Sequence, residues 1–273
     1  MTKIAVCSWS LKPCSWTDLI EKIELCRLSH MQLALEPVAS CRWNIDEIAE
    51  QSKDSRISIC SGMMETVGED YSTLKSIKCT GGIRPDEHWE ANRSRARDYA
   101  VIANRLGINL VTFHAGWIPD SGTLEYQTVI DRIKVIADIF EEYEIQIGLE
   151  TGQERAEELL QLLANPDLSH VGVNFDPANM ILYGMGDPSA AMEMLKERIV
   201  QVHMKDAAAS GTPGIWGTET PAGQGEVDWD RFFQILLELP DDVNVVIERE
   251  AGDRRIDDII GAREIAITHG CEP

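Results

Sequence analysis

Four residues in the second half of the chain each place a metal-competent side chain at the end of an apolar run. Glu150 follows Ile147-Gly148-Leu149, Asp176 follows Val173-Asn174-Phe175, His203 follows Val200-Gln201-Val202, and Glu248 follows Val245-Val246-Ile247. A polar group at the end of such a run is costly unless it has a partner or a task. Three carboxylates and an imidazole make a mostly hard donor set, suited to Mn2+, Mg2+ or Co2+ and tolerant of Zn2+. Clustered without a cation, the anions would repel one another and drive some of their pKa values up; one divalent ion removes that conflict. The expectation is a single divalent-metal site, with Mn2+ as the leading ion.

These side chains meet only if the segments before them lie side by side. Strand-like runs occur at Ile4–Ser8, Met31–Leu35, Ile57–Ser61, Leu110–His114, Ile145–Glu150, Val171–Asp176, Ile199–Met204 and Val243–Glu248. Helical patterns fall at Thr17–Leu28, Asn44–Ser52, Trp89–Leu106, Glu125–Tyr143, Glu154–Leu163, Pro188–Glu197, Asp228–Leu239 and Arg255–Thr268. Thr17-Asp18, Asn44 and Asp187-Pro188 are good helix starts, and Gly107 is a good helix stop. Strict alternation implies a parallel sheet. An open doubly wound sheet usually has fewer units and often a glycine-rich loop after the first strand, and none follows Ile4–Ser8. The expected fold is a (β/α)8 TIM barrel with parallel strands, residues 1–273 forming one domain. Its strand ends share one rim, where barrel enzymes build their sites. Two long connections leave that rim, from Gly62 to His88 and from Lys205 to Val227, and are expected to wall the site.

The bulk numbers exclude other classes. The chain has 273 residues, 44% of them hydrophobic, and a formal net charge of −21. That charge repels polyanions, which argues against a nucleic-acid partner. No run of about 18 apolar residues is present, so no membrane span is expected. Met-Thr-Lys-Ile-Ala-Val-Cys-Ser-Trp lacks a signal-peptide pattern. Seven cysteines without a Cys-x-x-Cys pair read as reduced thiols filling core space, and the protein reads as cytoplasmic.

Several motifs carry a family resemblance. Leu149-Glu150-Thr151, Asn174-Phe175-Asp176-Pro177-Ala178-Asn179, His203-Met204-Lys205-Asp206, Gly223-Gln224-Gly225-Glu226-Val227-Asp228-Trp229 and Ile247-Glu248-Arg249-Glu250 resemble the xylose-isomerase-like sugar phosphate isomerase/epimerase superfamily. The resemblance covers nearly the whole chain and implies Glu150, Asp176, His203 and Glu248 as ligands. It also implies that Glu150 and Glu248 flank the substrate carbon, one removing a proton beside a carbonyl and the other returning one. The outcome is epimerisation or aldose–ketose isomerisation of a small-molecule sugar or polyol. An inosose-type dehydratase is the alternative on the same scaffold, and a noncatalytic sugar-binding barrel is the reading from a different class.

Further residues are candidates for contacting such a substrate. His114 ends the fourth strand-like run, for binding or proton relay. Lys205 lies two positions after His203, on the same side of an ideal strand, for a substrate oxygen, a substrate carboxylate or a neighbouring acid. Glu36 and Gln153 are expected hydroxyl binders, and Trp117, like Trp9 and Trp216, can stack on a sugar face or simply pack. Glu250 is the rival of Glu248 as last ligand. Ketose 3-epimerases of the superfamily carry a histidine where this chain has Asn179, and an arginine where it has Ala207-Ala208-Ala209. Related abasic-site endonucleases need further histidines in those regions. Association into a homo-oligomer is left open, as is phosphorylation of the substrate.

Overall fold

Among the described residues ten short strands form, and eight of them close on themselves. In chain order they are β1 (Ile4–Cys7), β2 (His30–Ala34), β3 (Ser58–Met63), β4 (Leu110–Phe113), β5 (Gln146–Glu150), β6 (Gly172–Phe175), β7 (Ile199–Met204), β8 (Asp206–Ala208), β9 (Thr218–Thr220) and β10 (Asn244–Ile247). In this computed structural model, which describes residues 2–54 and 57–273, the barrel order is β1-β10-β7-β6-β5-β4-β3-β2. Every barrel pairing is parallel, while β8 and β9 form a separate antiparallel pair. The structure is the expected TIM barrel. Of the span 1–273, Met1, Ser55 and Arg56 lie outside the described residues.

Several ladders end one residue earlier than the apolar runs. β1, β4, β6 and β10 stop at Cys7, Phe113, Phe175 and Ile247, so Ser8, His114, Asp176 and Glu248 sit just past them. The turn into the next element is the cause. Asp176 caps the helix Pro177–Tyr183, its side chain accepting from the Asn179 N–H, and Pro177 has no N–H with which to continue the ladder.

Outside the barrel run Trp16–Leu25, Ile45–Asp54, Asp86–Leu106, Leu124–Glu141, Ala156–Leu163, Pro188–Leu195, Trp229–Leu236 and Arg255–Thr268. Gly107 ends the longest at φ 69°, a left-handed value that favours glycine. The connections hold short helices that the apolar pattern does not reveal: Glu36–Ala39, Leu74–Thr80 and Pro177–Tyr183. Leu74–Thr80 forms on a reciprocal cap between Thr73 and Ser76, a local hydrogen-bond device needing little apolar periodicity.

Leu33, Val111, Phe113, Phe140, Phe175 and Phe233 are buried in one apolar cluster. The barrel interior is different. Gln32, Ser61, Thr112, Asn174 and Gln201 are buried there, each hydrogen-bonded to another of the group. The cysteines only partly meet the core-filling expectation: Cys7, Cys26 and Cys271 are buried, but Cys14, Cys41 and Cys79 are exposed on connections and helix ends. No helix among the described residues is long and apolar enough to cross a membrane.

Candidate metal centre

Glu150, Asp176, His203 and Glu248 come from four strands that are neighbours around the barrel, β5, β6, β7 and β10. One donor atom from each lies within 4.8 Å of the others, and all four residues are buried. His203 Nδ1 is 3.4 Å from Glu150 Oε1, 3.7 Å from Asp176 Oδ2 and 3.3 Å from Glu248 Oε2. Among the described residues, His203 Nδ1 and Asp176 Oδ2 have no hydrogen-bond partner. Buried polar atoms without a partner are rare, and two aimed at one point fit a coordinated cation.

The polar interior holds this cluster from beneath. Gln32 Oε1 lies 2.8 Å from His203 Nε2, while its amide donates to Thr112 Oγ1 at 2.7 Å. Gln32 Oε1 accepts from Nε2–H, which turns Nδ1 toward the carboxylates; loss of the Nδ1 proton would free its lone pair for a cation. Asn174 Nδ2 is 3.4 Å from Glu150 Oε2, and Asn174 Oδ1 accepts from Gln201, whose own oxygen accepts from Ser61. Burial pushes the Cys7 thiol, 3.8 Å from His203 Nε2, strongly up, so it stays protonated.

Cations and dipoles divide the two glutamates. Glu248 accepts from the Trp9 indole at 2.8 Å and from Lys205 Nζ at 3.0 Å. Burial alone would raise its carboxyl, but Lys205 and His203 hold it well below the ordinary range. Glu150 accepts from Asn179 Nδ2 at 3.1 Å and lies 3.5 Å from His114 Nε2. Burial is again outweighed, here by His114 and His203, and its carboxyl is lowered. Asp176 behaves oppositely: burial raises it to about 6 against the pull of Lys205. His203 is raised well above 6.5, because Glu150 and Glu248 overcome the burial that would lower it.

Above the cluster opens a cavity of about 590 Å3, lined in part by Trp9, Glu36, His114, Asn179, Lys205 and Trp216. His114, Lys205 and Glu36 are therefore at the rim, as expected. Glu36 is ion-paired with Arg42. Lys205 contacts Glu250 at 2.7 Å as well as Glu248, so Glu250 stands beside the cluster without joining it. Trp216 packs edge-on against Tyr183 at 4.8 Å between ring centroids. Two expected binders do not line this cavity. Gln153 borders a small adjoining crevice shared with Glu150, Tyr71, His114, Glu154 and Tyr183. Trp117 is covered by Lys78, whose Nζ is 4.0 Å from its ring centroid, and the chain turns at Gly116 (φ 88°) just before it. Sequence reasoning missed Gln32 and the lining residues Tyr71 and Tyr183. For Gln32 a signal existed, a lone amide between Met31 and Leu33.

The long connection after β7 is pinned rather than loose. The Asp206 carboxylate accepts from the backbone of Ala207, Gly223, Gly225 and Val227 and from the Trp229 indole, at 2.8–3.2 Å. A Cβ on Gly225 would lie 2.1 Å from Asp206 Oδ1, so only glycine fits there. Further out, Glu219 Oε1 accepts from Arg249 Nη1 and from the N–H groups of Glu250 and Ala251, fastening β9 to the segment after β10.

Comparison with known proteins agrees with the geometry. A family model described as xylose isomerase-like TIM barrel matches residues 42–266. A curated relative, 3-oxo-isoapionate decarboxylase from Pectobacterium atrosepticum, is 27% identical over 120 residues, a match spanning 42% of this chain and 43% of the relative. A xylose isomerase domain protein from Planctomyces limnophilus superposes with a TM-score of 0.85 at 23% identity, covering 92% of this chain and 91% of that one. A D-tagatose 3-epimerase-like protein superposes with a TM-score of 0.74 at 21% identity, covering 98% and 97%. A Mycobacterium smegmatis xylose isomerase-like TIM barrel protein in complex with magnesium gives 0.71 at 16%, covering 98% and 96%.

Proposed function

The chain belongs to the xylose isomerase-like TIM-barrel family, and within it we propose a divalent-metal-dependent isomerase or epimerase acting on a sugar or sugar derivative. The observation that carries this reading is the pair of partnerless buried atoms, His203 Nδ1 and Asp176 Oδ2, facing the carboxylates of Glu150 and Glu248. These four residues would hold one divalent ion, with Mn2+ as the leading candidate. Such an ion supplies Lewis acidity to a carbonyl and offsets the charge of an enediolate.

The proton steps belong to the protein. Both glutamates are held ionised, which suits one of them to remove the proton on the carbon beside a carbonyl. Return of a proton to the opposite face of that carbon inverts it; return to the neighbouring carbon exchanges ketose for aldose. Trp9 and Lys205 orient Glu248, while Asn179 and Asn174 orient Glu150. His114, 3.5 Å from Glu150, is placed to relay a proton or bind a hydroxyl.

A second reading, a lyase that expels water or carbon dioxide through the same intermediate, is favoured by the decarboxylase relative and by Asn179 replacing the epimerases' histidine. Incubation of the Mn2+-loaded protein with candidate ketoses and 3-keto sugar acids in D2O separates the two by NMR. Deuterium incorporation with interconverted isomers supports the isomerase; net loss of water or carbon dioxide supports the lyase. Full turnover in both Glu150→Gln and Glu248→Gln would reject the proton-transfer roles.

A further inference from the structure

We infer that the cavity selects an uncharged polyhydroxylated substrate and rejects its phosphate esters and carboxylates, a step that rests on the proposed sugar chemistry and fixes its substrate class. The cavity wall carries Glu36, Glu65, Glu69, Glu219, Glu248 and Glu250, against Lys205 as the sole lysine or arginine among the described residues lining it. Lys205 is not free to receive an anion. Its ammonium is shared by Glu248 at 3.0 Å and Glu250 at 2.7 Å, and it is buried.

The remaining charges do not cancel. Arg42 pairs with Glu36, and Arg249 pairs with Glu219 at 2.6 Å. A divalent ion together with Lys205 offsets Glu150, Asp176 and Glu248. Glu250 then has only a share of one lysine. Glu65 and Glu69 have no ion-pair partner among the described residues. Glu69 accepts from the Gly82 N–H at 2.9 Å and from the Tyr71 hydroxyl at 3.2 Å. Burial first, and then Glu36, raise the Glu65 carboxyl, with Arg95 and Arg42 pulling the other way without reversing the shift.

An incoming phosphate or carboxylate would add to that repulsion in a partly dehydrated space, where it is weakly screened. Hydroxyl groups have the opposite relation to the wall, because each donates to a carboxylate that has accepting capacity left. Trp9, Tyr71, Tyr183 and Trp216 supply apolar faces for the C–H side of a sugar ring or chain.

The test is binding to matched ligand sets on the Mn2+-loaded protein, read by calorimetry and by quenching of tryptophan fluorescence, since Trp9 and Trp216 line the cavity. Each set holds a free ketose, its terminal phosphate ester and a keto-aldonate of equal length and configuration, for example D-fructose, D-fructose 6-phosphate and 2-keto-D-gluconate. The neutral member is expected to bind at least tenfold tighter, about 1.4 kcal/mol. Glu65→Gln and Glu69→Gln are each expected to narrow that gap. Equal or tighter binding of the anionic member in any set overturns the inference while leaving the isomerase reading intact. Absence of binding and of deuterium exchange across all sets rejects the sugar reading and the inference with it.

Discussion

Asp176→Asn should stabilise the metal-free protein and abolish the stabilisation that a divalent ion confers on the wild type. The folded Asp176 carboxyl is raised from 3.8 to about 6, first by burial and then by Glu248, with Lys205 pulling the other way. A carboxyl raised by folding contributes stability that is fully present below pH 3.8 and lost as pH climbs through about 6. At pH 7.5 the ionised form therefore costs about 3 kcal/mol, at roughly 1.4 kcal/mol per unit. Asparagine removes that cost. It also caps helices as well as aspartate does, so the hydrogen bond from the Asn179 N–H survives. For a chain of this size the gain corresponds to a rise in Tm of about 5–10 °C. The metal acts in the opposite sense: an ion at a hundredfold its Kd adds about 2.7 kcal/mol to the wild type. The assay is thermal unfolding by circular dichroism at pH 4, 6 and 7.5, in EDTA and in Mn2+. The variant should match the wild type at pH 4 in EDTA, exceed it at pH 7.5, and respond weakly to Mn2+. A variant less stable than the wild type in EDTA at pH 7.5 would refute the electrostatic reasoning, and equal Mn2+ shifts would remove Asp176 from the ligand set.

His203 is held protonated in the metal-free protein by Glu150 and Glu248 despite its burial, so an ion must displace that proton. Apparent metal affinity should rise with pH from 6.5 upward, by at most about tenfold per unit, and titration in buffers of different ionisation enthalpy should show close to one proton released per ion; no release refutes the ligand role of Nδ1. Glu154 is raised from 4.5 to about 7 by burial, the hydrogen bond from Gly152 N–H opposing it, so its contribution to stability is present below pH 4.5 and lost as pH rises through about 7. Glu154→Gln should equal the wild type in urea melts at pH 4.5 and exceed it by about 2–3 kcal/mol at pH 8; an equal difference at both pH values would refute the assignment.

The ligand cluster was legible in the sequence because a closed barrel turns a one-dimensional regularity into a three-dimensional one. Apolar runs of similar length, each ended by a donor, must place those donors on one rim whatever their separation along the chain. The same logic reached His114 and Lys205. It failed for Trp117, which shares the fourth strand's connection with His114, because the turn at Gly116 carries the ring away from the rim and under Lys78. It failed for Gln153 for a similar reason: strand parity ends where β5 ends, at Glu150. Gln32 was unreadable as a partner of His203, since 171 positions separate them and only closure of the barrel brings them to 2.8 Å.

The glycine-rich stretch Gly223–Trp229 of the family motifs, unlike Asn179, Lys205, Glu248 and Glu250 in the others, does not line the cavity, and the structure gives it another role. Gly223, Gly225, Val227 and Trp229 together satisfy one buried carboxylate, Asp206, which lies three residues after His203. That bundle of hydrogen bonds fixes where the chain leaves β7, and so it serves any reaction run at the same metal. The cavity wall is assembled otherwise. Trp9 comes from the turn after β1, Glu65, Glu69 and Tyr71 from the connection after β3, and Trp216 from the tip between β8 and β9. None of these segments contributes a strand to the barrel, so their side chains are not tied to its closure. A signature anchored on Asp206 therefore identifies the scaffold, whereas the charge of Glu65 and Glu69 and the pairing of Lys205 bear on what enters it.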